Sequence, residues 1–126
     1  MTAAITEVLE QARRRLKRVT PEQAAAERAT GALLVDTRTA QQRDRDGAIP
    51  GALVIDRSVL EWRLDPTSPS RIPEAKDQLV RVILVCAEGY SSSLAAASLQ
   101  DLGLVNATDV IGGFEAWKAA GLPVES

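Results

Sequence analysis

The sequence predicts an α/β fold, in which short buried strands alternate with helices around a small, mostly parallel sheet. The first observation is a set of short apolar runs, of which 32–36 and 82–85 are the clearest. The run 32–36 ends in Asp36, as a buried parallel strand typically ends in a polar residue at its carboxyl end. The second observation is that segments with helix start and stop signals lie between these runs. This alternation is typical of helices packed on a parallel sheet.

The predicted helices are defined by apolar spacing or by the residues at their ends. The first, over 6–18, places its apolar residues on one side, with Thr6 as a candidate N-cap. The second starts with Thr20 as cap and Pro21 at the first helical position, and it runs to residue 30. The remaining helical predictions are 39–46, which is a short polar helix or turn, then 59–64, 74–80, 92–102 and 114–120. Glycines that end predicted helices are Gly31, Gly47, Gly103 and Gly121.

The remaining strands and turns follow from the same signals. Two further short runs predict strands, over 53–56 and 109–111. Three prolines and two serines indicate a loop over 65–73. The turns contain glycine or proline and lie at 49–52 and 112–113.

The composition limits the chemistry that this chain can perform. With 126 residues, of which 45% are hydrophobic, one domain can bury a core without metal or disulfide support. Cys86 is the only cysteine, which excludes an internal disulfide and a metal site built from several thiolates. The chain has no histidine, which excludes Ser-His-Asp and Cys-His catalysis. Any nucleophile must therefore be activated by backbone dipoles or by lysine and arginine.

The charge pattern argues against nucleic-acid and membrane partners. The net charge is -2, and no apolar segment is long enough to span a bilayer. The first residues lack the pattern of a signal peptide, so we expect a soluble cytoplasmic protein. The run 13–18 holds five positive charges in six residues, but no aromatic residue is interleaved, and Glu7 and Glu10 can pair with it along a helix. We expect a solvated helix face there, with partner docking as the second interpretation.

The most informative segment is Cys86-Ala87-Glu88-Gly89-Tyr90-Ser91-Ser92, a turn between a predicted strand and a predicted helix. Backbone N–H groups converge in such a turn at the positive end of the helix dipole, and this environment favours a thiolate. Gly89 suits a loop that needs a positive φ. Ser91 and Ser92 can donate hydroxyl hydrogen bonds to the sulfur or cap the helix. A lone cysteine after a strand is usually only a small buried hydrophobe, but its neighbours here favour a catalytic nucleophile.

Four segments, in order, resemble the rhodanese-like domain family of sulfurtransferases. They are the strand end Leu34-Val35-Asp36-Thr37-Arg38, the turn Gly47-Ala48-Ile49-Pro50-Gly51-Ala52, the loop Cys86-x-x-Gly89-x-Ser91-Ser92 and the C-terminal signature from Val110 to Val124. The resemblance runs from 20 to 124. It implies a rhodanese-like α/β fold, expected as a small, mostly parallel five-stranded sheet flanked by helices on both faces. We therefore expect a rhodanese-like domain over 19–126, preceded by an N-terminal helical extension over 1–18 that the resemblance does not cover.

The resemblance implies the activity of a rhodanese-type thiosulfate sulfurtransferase. Cys86 would attack the outer sulfur of thiosulfate or of a persulfide donor and become a persulfide. A thiol acceptor, for example a protein thiol, or cyanide would then take that sulfur. No cofactor and no metal ion are expected. The loop from Cys86 to Ser91 has six residues, as in the sulfurtransferases, whereas relatives with seven-residue loops dephosphorylate proteins.

The chain departs from the family pattern at three positions. Ser91 stands where many members have arginine, and Glu88 adds a negative charge to the same loop. We expect both changes to weaken thiosulfate binding and to raise the pKa of the thiol. Ala48 replaces the histidine of the family's turn, and we expect little effect on the chemistry from this change.

Several charged residues are expected to support the loop. Arg38, Arg57 and Arg71 are the candidates for a positive charge that binds an anionic donor. Asp36 and Arg38 also fit an ion pair that fixes the strand end, which is the interpretation we favour over a direct chemical role. Arg57 follows a predicted strand near the edge of the sheet where ligands bind, but a surface salt bridge is the simpler expectation.

Two alternatives to sulfur transfer stay open at this point. A rhodanese-like scaffold without catalytic activity could serve as a binding or regulatory module, and Glu88 and the missing loop arginine favour that interpretation. A less favoured alternative is arsenate reductase or phosphatase activity through the same cysteine.

Overall fold

The computed structural model describes residues 2–126 and folds them into six α-helices, one 3-10 turn and four strands. In chain order these are α1 (Ala4–Arg14), α2 (Pro21–Ala29), β1 (Leu33–Asp36), α3 (Ala40–Asp46), β2 (Leu53–Val54), the 3-10 turn (Arg57–Val59), α4 (Leu60–Leu64), β3 (Val82–Val85), α5 (Ser91–Asp101), β4 (Thr108–Asp109) and α6 (Gly113–Ala119). Strands and helices alternate, which confirms the α/β prediction.

The sheet has the strand order β2-β1-β3-β4, and every pair of neighbouring strands is parallel. The prediction of five strands is wrong by one for the residues that the structure describes. Next to β4, a fifth strand is reduced to a single parallel bridge between Val19 and Val110. Thr20 caps α2 and Pro21 begins it, so only one residue before the helix is extended enough to pair.

Helices cover both faces of the sheet, as expected. Alternate residues of a strand point to opposite faces, so Val82 and Leu84 pack into the core cluster that includes residues of α4 and α5. Ile83 and Val85 pack into the cluster that includes residues of α2 and α6. All four side chains of β3 are at most 1% exposed. The chain therefore leaves this buried strand at its carboxyl edge with Cys86, where ligands bind in open α/β folds.

Capping boxes fix the starts of two helices that lead into or out of β1. The Thr20 hydroxyl accepts the Gln23 backbone N–H at 3.1 Å, and the Gln23 side chain accepts the Thr20 backbone N–H at 2.9 Å. Thr39 and Gln42 repeat this arrangement at the start of α3. Each cap contributes about 1 kcal/mol to helix stability. The two caps thus fix the residues at which α2 and α3 begin, before and after β1.

The first helix is shorter than the sequence predicts. It begins at Ala4 with Ala3 as a cap that makes no side-chain bond, so Thr6 is not its N-cap. It ends at Arg14 because the chain then turns to bury Leu16 and Val19, which pack into the two different core clusters. A helix continued through residue 19 would keep those two side chains on one helical surface.

Residues 74–80 form turns, so the short helix predicted there is wrong. The Asp77 carboxylate accepts the Leu79 backbone N–H at 2.8 Å, a local bond that competes with helical hydrogen bonding. Leu79 is 70% exposed, so its side chain adds no apolar packing that would favour a helix.

The two longest helices, α1 and α5, have 11 residues each and pack against each other. The Arg13 side chain reaches Ser93 at the start of α5 and the Gly89 carbonyl in the loop that begins at Cys86, whereas Arg15 pairs with Asp101 at the end of α5. Among the helices within 2–126, none combines the length and the apolar character that crossing a bilayer requires.

Candidate active site

The loop after β3 surrounds the sulfur of Cys86 with hydrogen-bond donors. The Sγ atom accepts the backbone N–H of Gly89 at 3.1 Å and that of Ser92 at 3.4 Å. The Ser92 hydroxyl oxygen lies 3.2 Å from the same sulfur and accepts from the Cys86 thiol, while the hydroxyl donates its own hydrogen to Asp109. The chain reverses around the sulfur between β3 and α5, and the side chain of Cys86 is 6% exposed.

Two opposing effects set the pKa of the Cys86 thiol. Burial raises this pKa, because a thiolate loses hydration inside the protein. Hydrogen bonds from the hydroxyls of Ser92 and Ser91 and from the backbone N–H groups of Ser92 and Gly89 lower it. The hydrogen bonds prevail, and the pKa of Cys86 lies below its ordinary value. The expectation that Ser91 and Glu88 raise this pKa relative to a loop with arginine stays a prediction, and Ser91 itself contributes a hydroxyl that lowers the pKa.

The loop also offers backbone N–H groups that are free of other partners. Within residues 2–126, no acceptor engages the N–H groups of Ala87, Glu88, Tyr90 or Ser91. A cleft of about 230 Å³ opens at Cys86. It is lined by residues of the loop and of the segment after β1, namely Thr37, Arg38, Gln42, Cys86, Ala87, Glu88, Tyr90 and Ser91. The unengaged N–H groups can therefore bind an anionic atom attached to the sulfur.

The start of α6 holds the loop through backbone hydrogen bonds. The backbone N–H of Phe114 donates to the Cys86 carbonyl at 2.8 Å, and that of Glu115 donates to the Ala87 carbonyl at 3.1 Å. Gly113, at φ +60°, lies so close that a Cβ there would be 2.7 Å from the Gly89 nitrogen and would also overlap the Cys86 carbonyl. The two glycines before Phe114 suggested only a turn in the sequence, whereas the structure makes Gly113 part of the support of the loop.

Asp36 and Arg38 form a buried ion pair at the end of β1. Arg38 donates to both carboxylate oxygens, with the shortest distance of 2.7 Å, and to the Gly47 carbonyl at 2.9 Å. Its guanidinium carbon lies 3.7 Å from the centroid of the Phe114 ring. The Nη1 atom of Arg38 is buried and has no hydrogen-bond partner within the described part of the chain. Arg38 thus joins the strand end, the turn at Gly47 and α6, and its charge is balanced by Asp36.

The other two candidate arginines do not line the Cys86 cleft. Arg57 forms an ion pair with Glu61 at 2.8 Å, and Glu61 also accepts the Ser98 hydroxyl at 2.6 Å. Arg71 lies in the exposed loop before β3. Arg38 is therefore the one cationic side chain among the residues that line this cleft.

Three residues that hold the loop were not among the site residues that the sequence predicts. Asp109, which is 0% exposed, accepts the hydroxyls of Ser92 at 2.7 Å and Ser93 at 2.8 Å. Arg18 donates to both oxygens of Asp109, at 2.9 and 3.1 Å. Arg13 and Arg18 both donate to the Gly89 carbonyl, at 2.8 and 3.0 Å. The expectation that the whole basic run is a solvated helix face is wrong for these two arginines. The one signal for them in the sequence was the density of positive charge over 13–18.

The structure offers no evidence of a metal centre here. No group of three or more histidine, cysteine, aspartate or glutamate side chains within the described range is placed to hold an ion.

Comparison with known proteins connects this geometry to a family. The family model described as a rhodanese-like domain matches residues 20–120. The thiosulfate sulfurtransferase GlpE of Pseudomonas entomophila (strain L48) is 38% identical over 103 residues, which are 82% of this chain and 85% of that protein. GlpE of Pseudomonas savastanoi pv. phaseolicola (strain 1448A / Race 6) is 37% identical over 106 residues, 82% of this chain and 88% of that protein.

A solved structure from Rhodopseudomonas palustris CGA009 is similar along the whole chain. It is described as a protein of unknown function, RPA3614, and a possible tyrosine phosphatase. Its TM-score is 0.87 at 35% identity, and the match covers 99% of this chain and 96% of that one. The family match and the GlpE relatives confirm the resemblance that the sequence motifs indicate. The chain belongs to the rhodanese-like domain family.

Proposed function

We propose that this protein is a sulfurtransferase that moves a sulfane sulfur from thiosulfate or a persulfide donor to a thiol or cyanide acceptor through a persulfide on Cys86. The observation that carries the proposal is the set of N–H and O–H groups around one buried sulfur with a lowered pKa. The GlpE relatives, which are named thiosulfate sulfurtransferases, support the same reaction.

In the first half-reaction the Cys86 thiolate attacks the outer sulfur of thiosulfate. A new S–S bond forms at Sγ, the S–S bond of the donor breaks, and sulfite leaves with its electron pair. The product is an anionic persulfide. Its outer sulfur can accept the unengaged N–H groups of the loop, such as those of Tyr90 and Ser91, which stabilise negative charge without any proton transfer.

In the second half-reaction a thiolate acceptor attacks the outer sulfur of the persulfide. The S–S bond to Cys86 breaks, the acceptor becomes a persulfide, and the Cys86 thiolate is restored. Cyanide as acceptor would yield thiocyanate by the same bond changes. Neither step needs a general base, because the nucleophile is already ionised, which is consistent with a chain that has no histidine.

Charge in the cleft bears on the choice of donor. The positive charge of Arg38 is balanced by Asp36, and Glu88 adds an exposed carboxylate at the rim. Thiosulfate carries two negative charges, so backbone N–H groups must provide most of its binding. We therefore expect that a persulfide donor, which carries less charge, reacts at a lower concentration than thiosulfate does.

Intact-mass measurement tests the proposal. After exposure to thiosulfate or to a low-molecular-weight persulfide, the protein should gain the mass of one sulfur, and a thiol should remove that mass. The variant Cys86→Ala should remain folded and gain nothing. Sulfur transfer at the wild-type rate by Cys86→Ala would refute the mechanism.

The alternatives predict different results in the same measurement. A binding module without catalytic activity would give no heavier species with any sulfur donor. The description of RPA3614 as a possible tyrosine phosphatase makes phosphatase activity the second candidate. Turnover of a phosphate ester or of arsenate that is lost in Cys86→Ala would favour that candidate. We also propose that the protein acts without a cofactor and in the cytoplasm, with no nucleic-acid or membrane partner.

A further inference from the structure

The helical extension before the family domain reaches the Cys86 loop through two arginines. The family match begins at residue 20, so Arg13 and Arg18 both precede it. The GlpE relatives match only 82% of this chain, whereas the RPA3614 structure matches 99% of it, including this extension. The extension therefore lies outside the part of this chain that the family model describes.

Both arginines bind the same backbone carbonyl. The Nη2 atoms of Arg13 and Arg18 lie 2.8 and 3.0 Å from the Gly89 oxygen. A carbonyl and the N–H that follows it belong to one planar trans peptide and point in opposite directions. Holding the Gly89 carbonyl toward the extension therefore turns the N–H of Tyr90 away from it. The residue that supplies an N–H to the Cys86 sulfur, Gly89, is held by the same bonds.

A second set of contacts runs through a buried carboxylate. Arg18 binds both oxygens of Asp109, and Asp109 accepts the hydroxyls of Ser92 and Ser93. The Ser92 hydroxyl lies 3.2 Å from the Cys86 sulfur. A hydroxyl has one hydrogen, so Asp109 and a thiolate at Cys86 compete for the hydrogen of Ser92. Because Arg18 pairs with Asp109, the carboxylate is a weaker acceptor for the Ser92 hydroxyl, which leaves that hydrogen more available to a thiolate at Cys86.

Arg13 adds contacts on the outer side of the loop. Its Nε atom donates to the Ser93 hydroxyl at 3.2 Å, and its guanidinium lies 5.5 Å from the centroid of the Tyr90 ring. Arg14, the next residue in the basic run, is exposed, and its side chain forms no hydrogen bond or ion pair within residues 2–126. The run therefore contains both a residue that touches the loop and a matched neighbour that does not.

We propose that Arg13 and Arg18 are positioning residues, which hold the Gly89 carbonyl and Asp109 so that the loop presents its N–H and O–H groups to Cys86. This inference deepens the proposed function and rests on Cys86 being the nucleophile. The arginines act through Gly89 and Asp109 and need no contact with the substrate.

The test is the pH profile of Cys86 alkylation by iodoacetamide, measured at low and at high potassium chloride. The variant Arg13→Gln should shift the profile to higher pH and slow alkylation at neutral pH about tenfold, the lower end of the effect of one charge-assisted hydrogen bond. Arg18→Lys keeps a charge near Asp109 but loses one of the paired bonds, and it should shift the profile in the same direction. Arg14→Gln is the matched control and should follow the wild type.

Thermal melting of each variant sets an assay temperature at which all are folded. A contact of hydrogen-bonded groups is little screened by salt, so the shift should persist at high potassium chloride. An unchanged profile in both Arg13→Gln and Arg18→Lys would overturn the inference. So would an equal shift in Arg14→Gln, or a shift that disappears at high salt, because either would indicate a general charge effect.

The readout also separates this inference from the proposed function. Alkylation needs only the thiolate, whereas the proposed function requires sulfur transfer. Sulfur transfer by Cys86→Ala would refute the function, and an unmoved alkylation profile in the arginine variants would refute the positioning role alone.

Discussion

The sulfur of Cys86 is a nucleophile whose ionisation depends on a few hydrogen bonds. Burial alone would keep it as a thiol, since a thiolate in an apolar site loses its hydration. The N–H groups of Gly89 and Ser92 replace part of that hydration at fixed positions. They form before the donor arrives, so the site needs little rearrangement when charge moves to the outer sulfur.

The hydroxyl of Ser92 gives a test at this scale. Replacing Ser92 by alanine removes a group that lowers the pKa of Cys86, so alkylation at neutral pH should slow about fivefold and its profile should move to higher pH. Ser98→Ala is the control, because the Ser98 hydroxyl on the same helix binds Glu61. Equal profiles for Ser92→Ala and Ser98→Ala would contradict this role of the hydroxyl.

Among the elements, α6 positions the loop most directly. The N–H groups of its second and third residues donate to the carbonyls of Cys86 and Ala87, and Gly113 allows the two backbones to approach. An alanine at Gly113 would bring a methyl group against the backbone of Cys86 and Gly89. The helix and the loop could then not keep both the close approach and these bonds.

The variant Gly113→Ala should therefore lower both stability and thiol reactivity. Its matched control is Gly121→Ala, at φ +77°, where a Cβ meets nothing within 4 Å. The control should lose only the cost of a left-handed residue, about 1–2 kcal/mol, with normal alkylation. Urea unfolding and alkylation of the folded variants check this. If Gly113→Ala loses no more stability and reactivity than Gly121→Ala, the close approach has no role.

At the scale of the whole molecule, the ionisation of Cys86 links stability to pH. The pKa of this thiol is lowered in the folded chain, so between that value and the ordinary value in the unfolded chain the unfolded state binds more protons. The free energy of unfolding should then rise with pH through this window. The stabilisation that comes from the Cys86 thiolate should be lost as the pH falls below the pKa of the folded chain.

Comparison with Cys86→Ser isolates the effect, because serine does not titrate. Urea unfolding from about pH 6 to about pH 9 should show the stability of the wild type increasing relative to that of the variant. A difference in stability that stays constant with pH would show that the thiol has the same pKa in both states.

The features that the sequence predicts correctly are those that depend on residues close together in the chain. The loop, its cysteine and most element positions follow from contiguous residues, such as the cap Thr20 and the apolar strand before Cys86. The positioning contacts could not be predicted, because Arg13 and Arg18 lie 76 and 71 residues from Gly89 in the sequence. Their meeting depends on how α1 packs against α5. The fifth strand is reduced to a single bridge for a local reason, because Thr20 caps α2 directly after Val19 and Pro21 begins that helix.

The most direct test of the central claim is a single-turnover experiment with thiosulfate labelled in its outer sulfur. The labelled sulfur should first appear on the wild-type protein, with one sulfite released for each sulfur bound, and should then pass to an added thiol. Peptide mapping should place the label on Cys86, and Cys86→Ala should carry none. Label that reaches the thiol at the same rate with Cys86→Ala, or that never appears on the protein with any sulfane donor, would contradict the account.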